Sequence, residues 1–271
     1  MAQSIFAPKQ IKANGLQFKK SMVIMWAMVK KSIKNQYRRS VLGILWTVLN
    51  PLLTMLVMAF VFSSFFKSGD IELDYPIYLM TGNVVFNFVS SATVSSLPCM
   101  VNNYDLLMKT RVPYFVFPAS NVVSSLVNFG FSLIALLLVM LVRIKYVTFS
   151  PTLLMIVVWL PAIFMFCLGL ALVLCSIYVR FRDIQHLYSV FLTLWMYMTP
   201  IFYSPKMLDE DVQKILLINP LGHYLDYFRQ LVMGVVPSWQ THVLIYAIGI
   251  VTLLIGWLIF KSLRKSFILY I

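Results

Sequence analysis

Six long stretches of the sequence contain no charged residue, and they limit what the chain can fold into. A helix that crosses the ~30 Å hydrocarbon core of a bilayer needs about 20 mainly apolar residues. The chain is 61% hydrophobic and only 11% charged, which is outside the composition of soluble domains. The sequence therefore predicts an all-α integral membrane protein with six transmembrane helices, near residues 41–66, 75–96, 113–142, 152–179, 184–203 and 240–260.

The Lys and Arg residues predict the orientation of these spans. If both termini lie on one side, that side holds sixteen of the 22 Lys and Arg residues, and the other side holds six. Short cytoplasmic loops carry the excess of Lys and Arg in membrane proteins. We therefore expect both termini to be cytoplasmic and the formal charge of +13 to face anionic membrane lipids rather than nucleic acid.

The N-terminal arm, residues 1–40, contains a second kind of pattern. Apolar side chains recur at helical spacing while lysines and arginines occupy the other side, as in a helix that lies in the membrane interface. The apolar positions are Phe18, Met22, Met25, Trp26, Val29, Ile33 and Tyr37. The alternative is a solvated basic tail that only enforces the topology.

Residues 204–239 contain two apolar pieces, each too short to cross a bilayer. Val212 to Ile218 and Leu221 to Met233 are separated by Asn219-Pro220, and proline suits the first turn of a new helix. We predict a short re-entrant helix pair on the outer side, acting as a pathway lid or as a structural cap. The chain is then one transmembrane domain: the arm, spans one to five (41–203), the outer pair (204–239), and span six with a basic tail (240–271).

The sequence offers little material for catalysis or for ion-coupled transport. No Asp, Glu, Lys or Arg lies within the six predicted spans, whereas proton- and sodium-coupled transporters place ionisable residues there. We expect no metal site, because Asp209-Glu210-Asp211 are explained by the positive end of a helix dipole. There is also no phosphate-binding G-x-x-x-x-G-K-[ST] loop. We therefore expect no cofactor on this chain and an energy source on another polypeptide.

Two inner segments are candidates for contact with that polypeptide or with lipid. The longer one is predicted to be a compact helix that docks the partner, although an ordinary connector is the alternative; its candidate residues are Asn102, Asn103, Asp105, Leu106, Leu107, Lys109 and Arg111. In the shorter one, Asp183 is expected to cap the following helix, while Arg180 and Arg182 anchor to lipid phosphate. A gating role for these three residues is the alternative.

Four ordered motifs resemble a known family. The chain is similar to the permease subunits of type-2 ABC exporters, above all those that export O-antigen, capsule, rhamnan or teichoic acid. The motifs are Ser40-Val41-Leu42-Gly43-Ile44-Leu45-Trp46 leading to Asn50-Pro51, Arg180-Phe181-Arg182-Asp183-Ile184, Thr199-Pro200-Ile201-Phe202-Tyr203, and Asn219-Pro220-Leu221 followed by Tyr227-Phe228-Arg229.

The resemblance implies a homodimer in a bacterial inner membrane, with two ATPase subunits that bind ATP and Mg. It also implies an interface helix, a coupling helix between spans two and three, a lipid-linked glycan substrate, and an outer gate containing Asn219, Pro220, Tyr227 and Arg229. Two other functions stay open: a membrane-embedded transferase acting on a polyprenyl-linked substrate, and an exporter of a drug or small lipid.

A glycan pathway requires amides for sugar hydroxyls and aromatic rings for the apolar faces of sugars. The candidates are Phe60, Phe62, Asn83, Phe86, Asn87, Asn121, Asn128, Trp195 and Tyr197. The alternative is that the amides form hydrogen bonds between helices, each contributing about 0.6 to 2 kcal/mol, and that the aromatic residues belong to the interfacial belt.

Overall fold

The computed structural model describes residues 7–37, 42–43, 45–62, 73–109, 112–143, 150–264 and 267. These residues form helices joined by turns, and no strand occurs among them. The helices are α1 (Ala7–Tyr37), α2 (Leu45–Phe62), α3 (Tyr75–Ser96), α4 (Cys99–Asn102), α5 (Tyr104–Lys109), α6 (Val116–Val142), α7 (Ile156–Arg180), α8 (Ile184–Met198), α9 (Glu210–Leu217), α10 (Pro220–Val232) and α11 (Trp239–Leu263). The all-α prediction is confirmed for this part of the chain.

Within the described ranges, four helices are long and apolar enough to cross a membrane: α3, α6, α7 with the 3-10 turn before it, and α11. They correspond to predicted spans two, three, four and six. The other two predicted spans correspond to shorter helices. Helix α2 carries Pro51 inside its 18 residues, and α8 has 15 residues. At 1.5 Å per residue, α8 is about 22 Å long, which is less than the thickness of the hydrocarbon core.

Helix α8 ends at Met198, five residues before the predicted end of span five. Thr199, the next residue, has an extended backbone with φ −99° and ψ 131°. The cause is Pro200, because a proline disfavours the helical conformation of the residue before it and has no N–H of its own. The predicted boundary at residue 203 is therefore wrong, and residues 199–204 instead form a connection that lies against α3.

Helix α3 lies at the centre of the bundle. Its most apolar 18-residue stretch is 72% buried, against 22% for the corresponding stretch of α11. The core beside α3 contains three stacked or tilted rings: Phe129 of α6 lies 5.7 Å from Trp159 of α7, and Trp159 lies 5.2 Å from Phe228 of α10. Of the four long helices, α11 is the most exposed, and α3 is the one that the others surround.

Helices α7 and α11 pack closely because glycines lie at their crossing. A Cβ atom placed on Gly169 would stand 2.4 Å from the backbone oxygen of Thr252, and one on Gly256 would stand 2.3 Å from the oxygen of Gly169. A Cβ on Gly249 would stand 2.7 Å from the oxygen of Ala162. Small residues allow helix backbones to approach in this way within membranes.

The predicted apolar face of helix α1 is only partly buried against the rest of the protein. Val29 is buried against the bundle, and Met28 accepts a hydrogen bond from Ser120 of α6 at 3.9 Å. Met22 and Trp26 are exposed, whereas Met25 and Ile33 are half-buried. The side chains of Phe18 and Tyr37 lie outside the described residues. One strip of the predicted lipid-facing side thus fixes α1 to α6.

We expect Gly169→Ala to destabilise the chain, because the new methyl group would overlap the backbone of α11. Overpacking of this kind typically costs about 1–3 kcal/mol, which corresponds to a fall of several degrees in Tm. Gly130→Ala is the matched control, because a Cβ at Gly130 of α6 has nothing within 4 Å. Thermal unfolding of the purified protein in detergent measures both variants. An equal Tm for the two would contradict the packing described here.

Candidate functional site

Arg229 of α10 is a buried cation at the end of the bundle where α3 begins. Helix α10 buries the apolar side chains Leu221, Leu225, Phe228 and Val232, which share one helical face, and only 7% of Arg229 itself is exposed. Because the helix must bury this face, the guanidinium enters the protein with it.

The buried guanidinium is satisfied by backbone oxygens from two distant segments. Its Nη1 donates to the oxygen of Pro200 at 2.7 Å, and its Nη2 donates to the oxygens of Tyr78 and Ile201, each at 3.3 Å. The carbon Cζ also lies 3.5 Å from the centre of the Tyr78 ring, a cation–π contact. We call Arg229, Tyr78, Pro200 and Ile201 the Arg229 network. It connects α10 to α3 and to the connection after α8.

The charge of Arg229 is retained despite its burial. Burial lowers the pKa of the guanidinium to about 10, which still leaves it protonated at neutral pH. In the described part of the chain no carboxylate forms a salt bridge with it. An unpaired buried charge is costly, so the carbonyl oxygens and the Tyr78 ring supply the compensation.

Asn219 forms a second connection at the start of α10. Its Oδ1 accepts from Trp195 Nε1 at 2.8 Å and from the N–H of Leu221 at 3.1 Å, which caps the helix. Its Nδ2 donates to the oxygen of Met198 at 3.1 Å and to Thr199 Oγ1 at 3.0 Å. The side chain is therefore fully hydrogen-bonded, and Pro220 follows it at the first helical position.

Three further contacts fix α10 to α7 and α11. Trp159 Nε1 donates to the oxygen of Tyr224 at 2.9 Å, and the Tyr224 hydroxyl donates to the oxygen of Ile245 at 2.7 Å. The Tyr227 hydroxyl lies 2.9 Å from His242 Nε2. Helix α10 thus has hydrogen bonds to its neighbours on every buried side.

Helix α9, in contrast, buries none of its residues. Val212, Ile215 and Leu217 are exposed apolar side chains on it. A cavity of about 380 Å³ lies between α9, α10 and the residue 200–206 connection, and its lining includes Gln213, His223, Asp226 and Arg229. The two helices predicted as one outer pair therefore differ: α10 belongs to the core, and α9 lies on its surface.

A polar cleft of about 460 Å³ lies between α1, α2, α3 and α6. None of the described residues that line it is charged, and most carry a hydroxyl or an amide. The lining residues are Gln36, Trp46, Thr47, Asn50, Pro51, Thr54, Val84, Asn87, Phe88, Ser90, Ser91, Val94, Ser125, Asn128, Phe129 and Ser132. The cleft lies in the half of the bundle nearer α4.

Asn128 has one hydrogen-bonded and one unpaired polar atom in this cleft. Its Nδ2 donates to Gln36 Oε1 at 3.2 Å. Its Oδ1 is buried and has no hydrogen-bond partner among the described residues. A buried amide oxygen without a partner requires an explanation, and a ligand or an ordered water supplies one.

The predicted pathway residues occupy different environments. Asn87 and Asn128 both line the cleft. Asn121 donates across the helix interface to the oxygen of Ser95 at 2.8 Å, and the Nδ2 atom of Asn83 is buried without a partner among the described residues.

Among the predicted aromatic pathway residues, Phe86 and Trp195 are buried, whereas Phe60 is 84% and Tyr197 62% exposed. The side chain of Phe62 lies outside the described residues.

The serines of the cleft were not predicted from the sequence. Ser90 and Ser91 follow Asn87 by three and four positions, and Ser125 and Ser132 flank Asn128 by three and four. Residues at these spacings share a helix face. This spacing is the signal that could have found them.

The segment predicted to dock the partner consists of α4 and α5. Asn102 and Asp105 are exposed, and Asn103 donates to the oxygen of Cys99 at 2.8 Å. Leu106 is half-buried, and Leu107 packs in the chain's own core. The prediction of Leu107 as an anchor for another protein is therefore not supported by its position. Tyr104 is 39% exposed and was not among the predicted contact residues. The Lys109 side chain and Arg111 lie outside the described residues.

The turn between α7 and α8 exposes Arg180, Arg182 and Asp183. Asp183 precedes α8, but its side chain makes no capping hydrogen bond; the N–H of His186 donates to its backbone oxygen at 3.0 Å instead. The predicted cap is therefore wrong. In the described ranges, no group of three or more His, Cys, Asp or Glu residues could hold a metal ion.

We expect Arg229→Leu to destabilise the chain by several kcal/mol, because three hydrogen bonds from a charged donor are lost and each contributes about 1.5–3 kcal/mol. The same change at the neighbouring residue, Gln230→Leu, is the control, since the Gln230 amide donates only to Asp226 at an exposed site. Thermal unfolding in detergent and limited proteolysis between residues 199 and 219 measure both. Equal unfolding temperatures would show that the Arg229 network does not hold α10.

Comparison with known proteins identifies the family of this chain. Residues 24–233 match the family model of the ABC-2 type transporter. The chain is 30% identical to the O-antigen export system permease protein of Myxococcus xanthus, over 90% of this chain and 94% of the relative. It is 21% identical to the polysialic acid transport protein of Escherichia coli, over 92% and 96%. It is 25% identical to the capsule polysaccharide export inner-membrane protein of Neisseria meningitidis, over 90% and 92%. The chain therefore belongs to the ABC-2 type transporter family.

Proposed function

We propose that this chain is the membrane-spanning subunit of an ATP-driven exporter that moves a lipid-linked cell-envelope polysaccharide across a bacterial inner membrane. The observation that carries the proposal is the similarity to O-antigen and capsule export permeases over about nine-tenths of the chain. The sequence itself has no phosphate-binding loop, so the proposal includes a partner ATPase that binds ATP and Mg.

The proposed complex contains two copies of this chain and two ATPase subunits. The support for a second copy is the exposed apolar face of α8. Leu187, Val190, Phe191 and Leu194 recur at helical spacing, and each is at least 49% exposed. The helix is also too short to cross the bilayer alone with ease. A symmetric partner that packs along α8 would cover this face.

The proposed orientation places both termini and the α4 end of the bundle in the cytoplasm. The distribution of Lys and Arg supports it. The ATPase would then contact α4 and α5 through exposed residues such as Asn102, Tyr104 and Asp105, while Leu107 holds the segment to the bundle. Helix α1 would lie at the inner membrane surface, with Trp26 toward lipid.

The outer helix pair would contribute to opening through α9 rather than through α10. Helix α10 is held by the Arg229 network, by Asn219 and by Trp159, whereas α9 buries no residue. The Asn219-Pro220 junction separates them. In this proposal α9 moves over the cavity when glycan leaves, and α10 stays with the bundle.

The experiment that tests the function is deletion of the gene in its own host. We expect surface polysaccharide to be lost while the lipid-linked glycan accumulates on the cytoplasmic side, because synthesis continues and crossing stops. Deletion of the partner ATPase is the control and should give the same pattern. Loss of the lipid-linked glycan itself would indicate a transferase, and unchanged surface polysaccharide would contradict polysaccharide export.

A further inference from the structure

We propose that the polar cleft between α1, α2, α3 and α6 is a binding site for an uncharged sugar ring of the exported polysaccharide. The proposal rests on the function proposed above and names a place within a single copy of the chain where the glycan is held. The cleft lies in the half of the bundle nearer α4, so in the proposed orientation it would be occupied before the glycan crosses.

The lining of the cleft matches the chemistry of a neutral sugar. Asn50, Asn87 and Asn128 contribute amides, each with donor and acceptor atoms. Hydroxyl groups come from Thr47, Thr54, Ser90, Ser91, Ser125 and Ser132. Sugar hydroxyls also both donate and accept, so they pair with such groups without any charge. No described lining residue offers an ion pair for phosphate or for a carboxylate.

The orientation of Asn128 favours a ligand that donates a hydrogen bond. Its Nδ2 donates to Gln36 Oε1, and its buried Oδ1 has no partner among the described residues. A sugar hydroxyl can donate to it. This pairing would remove the cost that an unsatisfied buried acceptor carries.

Aromatic rings provide the apolar part of the site. Trp46 is 45% exposed and lines the cleft with Phe88 and Phe129. Aromatic rings pack against the apolar faces of other rings, and a tryptophan also presents an N–H at its edge. The volume of about 460 Å³ falls in the lower part of the range for small-molecule sites. We therefore infer a site for one or two sugar rings rather than for a longer chain.

Photolabelling of the complex with its ATPase, reconstituted in nanodiscs, tests the site. The probe is an octyl glucoside with a diazirine in its alkyl chain, and labelled peptides are identified by mass spectrometry. We expect labels in residues 46–54, 84–94 or 125–132. Labelling should fall about tenfold in Asn128→Leu, the effect of losing one well-made hydrogen bond. Unlabelled octyl glucoside should compete, and octyl phosphate should not.

Two further variants keep the test decisive. Asn87→Leu alters an exposed residue of the cleft and replaces Asn128→Leu if that variant does not fold. Gln230→Leu removes an amide far from the cleft and should label normally. Unchanged labelling in folded Asn87→Leu and Asn128→Leu would overturn the proposal, and so would equal competition by octyl phosphate, which would indicate an anionic headgroup site.

The same cells separate this proposal from the exporter assignment. Surface polysaccharide is measured in the strains that supply the protein. If the cleft is labelled normally but surface polysaccharide does not depend on the gene, the exporter assignment is refuted and the sugar site stands. If export depends on the gene but labelling is unchanged in both cleft variants, the sugar site is refuted and the exporter assignment stands.

Discussion

A polar group that is buried away from water must be hydrogen-bonded within the protein. Arg229 is the strongest case of this constraint in the described structure. Its guanidinium is buried and charged, and its hydrogen bonds go to backbone oxygens of residues far away in the sequence. The oxygens of Pro200 and Ile201 are available because Pro200 interrupts the chain after α8, whereas the oxygen of Tyr78 belongs to α3. The position of α10 at this end of the bundle depends on this arrangement.

The same constraint separates the fixed and exposed parts at this end of the bundle. Buried polar atoms of α10 are hydrogen-bonded to α3, α7, α11 and the connection after α8, so moving α10 would break several buried hydrogen bonds at once. Helix α9 is bonded to α10 at an exposed site, where the Leu217 oxygen lies 2.9 Å from His223 Nε2, and its described ion pair, between Lys214 and Asp211, is exposed as well. Exposed pairs contribute at most about 1 kcal/mol. Moving α9 would therefore break fewer buried interactions than moving α10.

The sequence predicted the features that depend on local patterns. Length and apolar content found α3, α6, α7 and α11, and Asn219-Pro220 located the boundary between α9 and α10, because a capping residue followed by proline acts within one turn. The early end of α8 was missed although Pro200 was visible, because the apolar run continued past it. Hydropathy measures composition and does not register a missing backbone donor.

Features that depend on tertiary contacts could not be predicted. Arg229 and its acceptor Tyr78 are 151 positions apart, and no periodicity relates them. The sequence around Leu107 is compatible with contact to a partner and with burial in the chain's own core. Only the fold distinguishes the two. The cleft needed four helices to be placed before Asn87 and Asn128 could be seen to share it with serines that no motif marks.

Distances between spin labels in the assembled complex test most directly whether α10 is fixed while α9 moves. In a background without Cys99, Cys167 and Cys175, one pair joins Val212 of α9 to Val243 of α11, and the other joins Asp226 of α10 to Val243; all three sites are exposed. Electron paramagnetic resonance is recorded without nucleotide and with trapped ATP. The account predicts a changed distance for the α9 pair and an unchanged distance for the α10 pair. A change of the same size in both pairs would contradict it.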